Sequence, residues 1–358
     1  MCSTPLLQQL KMKETIEEFF IKQAVPHDFP NHVDYVAIYK SFRTFMNQEI
    51  HKEIKTMTSR FNPNVYLNDH SAEHVQMVIE KISSILRETG FDYLSKYEIF
   101  ILLIGAHIHD AGHIFQGRSG HEKTGKKFLS ELPKYISSSI ERITIQKIAQ
   151  AHSGKEDPIG ALESNMRISG EEIRTRMLAA LIRLGDELAD GKSRSSNYLL
   201  NNGLIPMDSQ LFHAFSSCLD TFEPITESHE IEMTFCLNKN HVNATYSKPS
   251  DNGKTENIFL VDEIYARTMK TFCECLYYNR FVPEKLRLTT VSVKIHFIDE
   301  EKLEEFFEPI SFRIKEIGYP QLMSNDIFEL CNHDLQRNGI KLTGEYIMSS
   351  IKQAHESI

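Results

Sequence analysis

Ile101-Leu-Leu-Ile-Gly-Ala-His-Ile-His-Asp-Ala-Gly-His113 is the stretch on which the fold turns. Its apolar run predicts a buried helix, and the run ends on His109-Asp110, an imidazole beside a carboxylate. Burying both without a partner is strongly unfavourable, and a cation is the partner their chemistry suits. The question for the remaining chain is which other segments bring ligands to this point.

At 358 residues the chain is long enough for one large domain with an appendage, or for two domains. Hydrophobic content of 41% and charged content of 25% are ordinary globular values, so an ordered fold is expected. A net charge of −9 argues against general nucleic-acid binding or an anionic membrane surface, either of which needs a basic face. Six scattered cysteines do not make a disulfide framework, and Cys273-Glu-Cys275 is too close for a zinc pair. Free thiols in a reducing cytoplasm are the expectation. No charged-then-apolar leader pattern opens the chain, and the run from Phe100 to Ala106 is far short of the ~20 residues a membrane span needs.

Apolar periodicity predicts helices over 5–24, 33–54, 72–90, 94–110, 121–129, 139–152 and 171–189. Pro26 and Pro30 end the first, and Asn68 to Ser71 supplies a cap before Ala72. Residues 117–120 read as a glycine-containing loop. After Asn201 the texture changes. Residues 229–237 and 242–248 alternate like a hairpin, 259–278 is helical, 286–298 is the clearest strand, and helices are expected near 300–315, 324–335 and 343–356. The fold class is therefore mainly α: a helical bundle over 1–200, then a small α+β unit and a helical tail over 201–358.

Several of these helices carry a polar residue near one end: His74, His109 with Asp110, His121, His152 and Asp186. Imidazole and carboxylate without thiolate suit Mn, Mg, Fe, Co, Ni or Zn in a reactive site rather than a structural zinc knot. Singly, most have ordinary explanations. His74 could be a satisfied core histidine, His152 a helix cap, and Asp186 a surface acid among its charged neighbours. His109-Asp110 has no such explanation.

The order His74, His109-Asp110, Asp186, each on its own helix, resembles the HD-domain superfamily of metal-dependent phosphohydrolases, over roughly residues 65–200. The resemblance implies that these four positions hold one metal, with His70 as the alternative to His74. His109-Asp-Ala-Gly-His113 is similar to a segment of deoxynucleoside triphosphate triphosphohydrolases, which implies phosphate-contacting and proton-donating roles for His113, His121 and Glu122 beside Asp110. His121-Glu-Lys-Thr-Gly125 and Ala151-His152-Ser-Gly154 resemble instead the extra histidines of two-metal HD phosphodiesterases, which would hold a second ion. The chain departs from the first group by having Ile114-Phe-Gln-Gly after His113, and from the second by having His113 where lysine is usual.

The resemblance therefore implies one or two divalent ions and a nucleotide substrate, hydrolysed by a metal-activated hydroxide. A triphosphohydrolase is the leading reading, with a phosphodiesterase or phosphatase on cyclic or dinucleotide substrates, or a di-iron oxygenase, as alternatives. Lys126, Arg194 and Arg118 are the expected phosphate contacts. By analogy, residues 201–358 are expected to act in homo-oligomerisation or regulation.

Overall fold

Helix formation begins with a cap at the segment that opened the sequence. Ser95 accepts from the Glu98 amide at 3.1 Å while the Glu98 carboxylate accepts from the Ser95 amide at 3.0 Å, closing a capping box. The helix that follows, Lys96–Ile108, is buried from Tyr97 to Ile108 with no solvent face, as expected of an apolar helix at the centre of a domain. The computed structural model describes residues 14–57, 68, 70–115, 121, 127–128, 132–154, 156–249, 255–316, 326–331 and 333–356.

Around that core helix the described bundle comprises α1 (Ile16–Gln23), α2 (Tyr35–Phe45), α3 (Lys52–Met57), α4 (Ala72–Leu86), α5 (the core helix, Lys96–Ile108), α6 (Ser139–Gln150) and α7 (Thr175–Leu188). The expected helix over 33–54 is interrupted: a π-helical turn, Met46–His51, separates α2 from α3. The last helix starts later than its apolar pattern suggests, because residues 166–173 form a two-stranded hairpin, β1 (Met166–Ile168) and β2 (Glu171–Ile173). Ser169 and Gly170 both have positive φ and make its turn. Residues 1–13, the 117–120 loop and most of the 121–129 helix lie outside the described residues.

Close approach sets the spacing of the bundle. A Cβ at Gly185 would sit 2.7 Å from Ile82 Cγ1 and 3.2 Å from the Val78 carbonyl, so α7 touches α4 through a position that only hydrogen can occupy. At Gly105 on α5 a Cβ would sit 2.8 Å from the terminal Cδ1 methyl of Ile182, a contact that a shift of that side chain can relieve. Both glycines lie within a turn or so of a candidate ligand.

The second half is a mixed sheet with a helical layer. Its strand order is β3 (Leu219–Ile225), β4 (Glu230–Leu237), β7 (Thr290–Asp299) and β8 (Glu304–Lys315). β4 is antiparallel to β3 and parallel to β7, so it does not form the expected hairpin with residues 242–248. Asn238 instead caps a short helix, Lys239–Asn243, and the next strand, β5 (Thr245–Pro249), pairs with β6 (Thr255–Phe259). Helix Leu260–Asn279 then makes the crossover that a parallel pair needs. The helix expected near 300–315 is the strand β8. Its glutamates favour a helix locally, but Ile310, Phe312 and Ile314 are buried in alternation against β7. Over 324–335 the helix shrinks to Ile327–Leu330, followed by a tight hairpin on Asn338-Gly339. Helix Gly344–Glu356 forms as expected.

The halves interlock. Lys81 of α4 donates to the Phe222 carbonyl and to Glu223, both at 2.6 Å, and Arg183 of α7 makes a two-point pair with Glu274 at 2.6 and 2.8 Å. Among the described residues no helix is long and apolar enough to cross a membrane.

Two predictions follow from this packing. Gly185→Ala should destabilise the protein by ~1–3 kcal/mol through overpacking between α4 and α7; an unchanged denaturation midpoint would contradict that contact. Glu141, 2% exposed and accepting from the Tyr35 hydroxyl at 3.2 Å, has its carboxyl raised to about 7 by burial, which the Tyr97 and Tyr35 hydroxyls and Arg142 offset only in part. The folded state thus holds the proton more tightly than the unfolded chain. Its stabilising share is complete below the ordinary glutamate range and is lost as pH rises through about 7. Glu141→Gln should flatten a stability loss of up to ~3 kcal/mol between pH 5 and 8, read from denaturation midpoints across pH.

Candidate metal centre

Helix ends converge beneath the core. Ser71 caps α4, accepting from the Glu73 amide at 3.4 Å, and so places His74, fully buried, in the first turn. α5 ends at His109-Asp110, and a 3₁₀ turn, Ala111–Ile114, brings His113 back toward it. α6 ends just before His152, and Asp186 lies in the last turn of α7.

The same device orients two of these imidazoles. The final carbonyls of a helix have no intrahelical donor. His109 Nδ1 lies 2.7 Å from the Ala106 carbonyl and His152 Nδ1 lies 2.6 Å from that of Ala149. A carbonyl only accepts, so Nδ1 carries the proton in both rings and Nε2 turns into the cluster.

Asp110 lies at the centre. Its Oδ2 faces His70 Nδ1 at 2.8 Å, His74 Nε2 at 3.5 Å and His109 Nε2 at 3.4 Å. Its Oδ1 faces Nε2 of His121 at 3.2 Å, of His152 at 3.4 Å and of His113 at 3.9 Å. Asp186 Oδ1 closes one side, 3.0 Å from His74 and 3.6 Å from His109. Among the described residues, ligand-capable atoms fall into three overlapping sets: His74, His109, Asp110 and Asp186; Asp110, His121 and His152; and His70, Asp110 and His113. Asp110 belongs to all three.

This chemistry fits a divalent cation. Two carboxylates are brought together, Asp110 buried and Asp186 partly so, and His109 Nε2 lies between them yet makes no hydrogen bond among the described residues. Burial pushes the Asp110 carboxyl up, but the His109, His121 and His152 imidazoles outweigh it and hold the group well below its ordinary range. Asp186 behaves alike, through His109 and His74. Burial would lower His109, yet the two carboxylates raise it well above an ordinary imidazole. A site of this kind attracts positive charge, as a proton or as a metal ion, and its donors are all nitrogen and oxygen.

All six residues expected as metal ligands are brought together, and His70 joins His74 instead of replacing it. His113 is buried and sandwiched. Its ring lies flat on His121 at 4.1 Å and 4.8 Å from His70, and burial lowers it to about 3. Arg194 Nη2 lies 3.4 Å from both ring nitrogens of His70, while Nη1 donates to the Ala189 carbonyl at 3.0 Å. Lys192 and Arg183 are instead engaged by Asp220 and Glu274. Glu122, Lys126 and Arg118 lie outside the described residues. Two buried histidines behind the cluster, His51 and His107, were not singled out from the sequence. Nothing in their spacing marks them, although His107 sits in the opening stretch itself.

Because a metal must displace the proton that the carboxylates draw to His109, metal affinity should rise with pH and loading should release protons. Calorimetric titration of Mn²⁺ in buffers of different ionisation enthalpy measures that release. Asp110→Ala, which removes the residue common to every set, should abolish the binding.

The eight converging residues run from His70 to Asp186. The family model described as HD-CE matches residues 63–244, which takes in all of them and continues through the first two strands of the sheet. None of the curated proteins matches this sequence. With an HD-type domain whose His-Asp pair stands at the meeting point of four helix ends, the chain belongs to the HD-CE family.

Proposed function

We propose that this protein is a two-ion phosphohydrolase acting on a phosphate ester or anhydride bond of a nucleotide. One observation carries the reading: Asp110 offers one oxygen to His74 and His109 and the other to His121 and His152, with Asp186 completing the first set. A carboxylate so divided suits a bridging ligand. On this reading His74, His109, Asp110 and Asp186 hold one ion, and Asp110, His121 and His152 hold the other. Ions bound there would lower the pKa of a water and neutralise charge on a phosphoryl oxygen.

The chain's own residues do the rest. The Ala106 and Ala149 carbonyls fix the tautomers of His109 and His152 and hold Nε2 of each ring toward the cluster. Arg194, whose Nη2 lies 3.4 Å from His70, would give a phosphoryl oxygen a charge-assisted hydrogen bond. His113, stacked and buried, packs the cluster, so the phosphodiesterase or phosphatase reading is preferred over the triphosphohydrolase in which that histidine would assist the leaving group. Among the described residues the candidate ligands fall between His70 and Asp186, and on this reading residues 201–358 serve regulation or self-association.

The test incubates protein loaded with Mn²⁺, Mg²⁺, Co²⁺ or Fe²⁺ with cyclic nucleotides, cyclic dinucleotides, dinucleoside polyphosphates and deoxynucleoside triphosphates, and resolves the products by chromatography. Asp110→Ala should lose at least ~10³-fold in turnover. Arg194→Ala should act mainly on KM, by ~10–100-fold. Release of intact tripolyphosphate would replace this reading with the triphosphohydrolase. Oxygen uptake by the iron-loaded protein without phosphate-bond cleavage would replace it with the oxygenase.

A further inference from the structure

Just past the end of α7, Asp190 is held by the second half of the molecule, and its side chain is only 9% exposed. Oδ2 accepts from Arg267 Nη1 at 3.3 Å. Oδ1 accepts from the Ser216 hydroxyl at 2.6 Å and from the Gly191 amide at 2.8 Å. Arg267 belongs to the crossover helix Leu260–Asn279, and Ser216 to helix Met207–Cys218. The crossover helix tracks α7 through three contacts in register: Arg183 with Glu274, Glu187 with Lys270 and Thr271, and Asp190 with Arg267. Each step is about one helical turn on either side. The Phe215 ring fixes the last contact further, because the Arg267 guanidinium lies over it at 4.3 Å.

Two arms run from this carboxylate toward the metal cluster. A hydroxyl has one proton and a carboxylate only accepts, so the Ser216 proton is committed to Asp190. The Ser216 oxygen then accepts from Asn68 Nδ2 at 2.8 Å, and Asn68 stands two residues before His70. Ser216 is fully buried, which shields both bonds from water. The other arm is the backbone on either side of Asp190. The Ala189 carbonyl accepts from Arg194 Nη1 and the Gly191 carbonyl from the Arg194 amide, each at 3.0 Å. Guanidinium and backbone of Arg194 therefore rest on the two residues that flank Asp190. The arms meet where Arg194 Nη2 lies 3.4 Å from both ring nitrogens of His70.

A buried ion pair adds little net stability, because desolvation offsets much of its Coulombic gain. What it fixes is orientation, and the groups oriented here are Arg194 and His70. We propose that Asp190 is the positioning residue for the Arg194–His70 pair, with Ser216 as its relay, so that the second half of the molecule sets how the metal centre receives a phosphoryl group. The kinetic consequence rests on the phosphohydrolase reading, whereas the positioning itself does not.

The experiment compares Asp190→Asn and Ser216→Ala with the unsubstituted full chain. Asparagine keeps the shape of the side chain but removes its charge and turns one acceptor into a donor. Hydrogen–deuterium exchange read by mass spectrometry should rise at least ~10-fold over residues 189–195 in Asp190→Asn, while Mn²⁺ binding is retained. Ser216→Ala removes one hydroxyl only and carries the same test if Asp190→Asn does not fold: exchange should rise there and in the segment that holds His70. On a nucleotide substrate, Asp190→Asn should raise KM ~10-fold with kcat little changed, and the Arg194→Ala/Asp190→Asn double variant should be no worse than Arg194→Ala alone. Full additivity in that cycle would overturn the proposal, as would unchanged exchange over 189–195. Loss of Mn²⁺ binding would overturn it too, by assigning Asp190 to the support of the ligands, and a lowered denaturation midpoint without the other changes would leave Asp190 a packing residue. If no metal-loaded form cleaves any nucleotide, the phosphohydrolase reading falls, and the exchange measurement alone decides whether Asp190 positions Arg194.

Discussion

Everything in the helical half depends on one buried carboxylate. Asp110 is 4% exposed and meets six imidazoles, three on each oxygen. A charge in such a place is tolerated only when its surroundings are committed to it. Here the commitment comes from one end each of α4, α5, α6 and α7, and from His121. Stability of the core helix and the chemistry at its end are thereby linked: α5 is buried from Tyr97 to Ile108, and its last residues are held without solvent.

The candidate ligands were legible in the sequence as polar residues near the ends of apolar segments, and their grouping into one site came from the resemblance to HD-domain enzymes. Capping signals such as Ser95 with Glu98, and Ser71 before α4, mark where those segments start. What could not be read was the sharing. Whether His70 substitutes for His74 or accompanies it depends on the angle at which α4 leaves its cap, which no local pattern encodes. The tautomer lock on His109 and His152 was equally hidden, since it requires that both rings fold back on the carbonyl three residues earlier. The network of Asn68, Asp190 and Ser216 joins three segments far apart in the chain and has no sequence signature.

The sheet half was harder to read for a different reason. β4 alternates as a strand should, but its partners are β3 before it and β7 more than fifty residues after it, and a period-two pattern does not name its neighbours. Residues 300–315 carry Glu301, Glu304, Glu305 and Glu308, good helix formers whose preference is overridden once Phe312 and its alternate neighbours find β7. Short turns were under-read too: Ser169-Gly170 and Asn338-Gly339 each reverse the chain just beyond the bounds of an expected helix.

The contacts of Lys81 and Arg183 have a mechanical meaning. α4 and α7 are the helices that the second half grips, and they are also the helices that carry His74 and Asp186. The gap between those two ligands, 3.0 Å, is spanned by side chains whose backbones are pressed together at Gly185. A load applied to the sheet is therefore borne by a joint with no slack, and it reaches the ligand pair as strain rather than as motion.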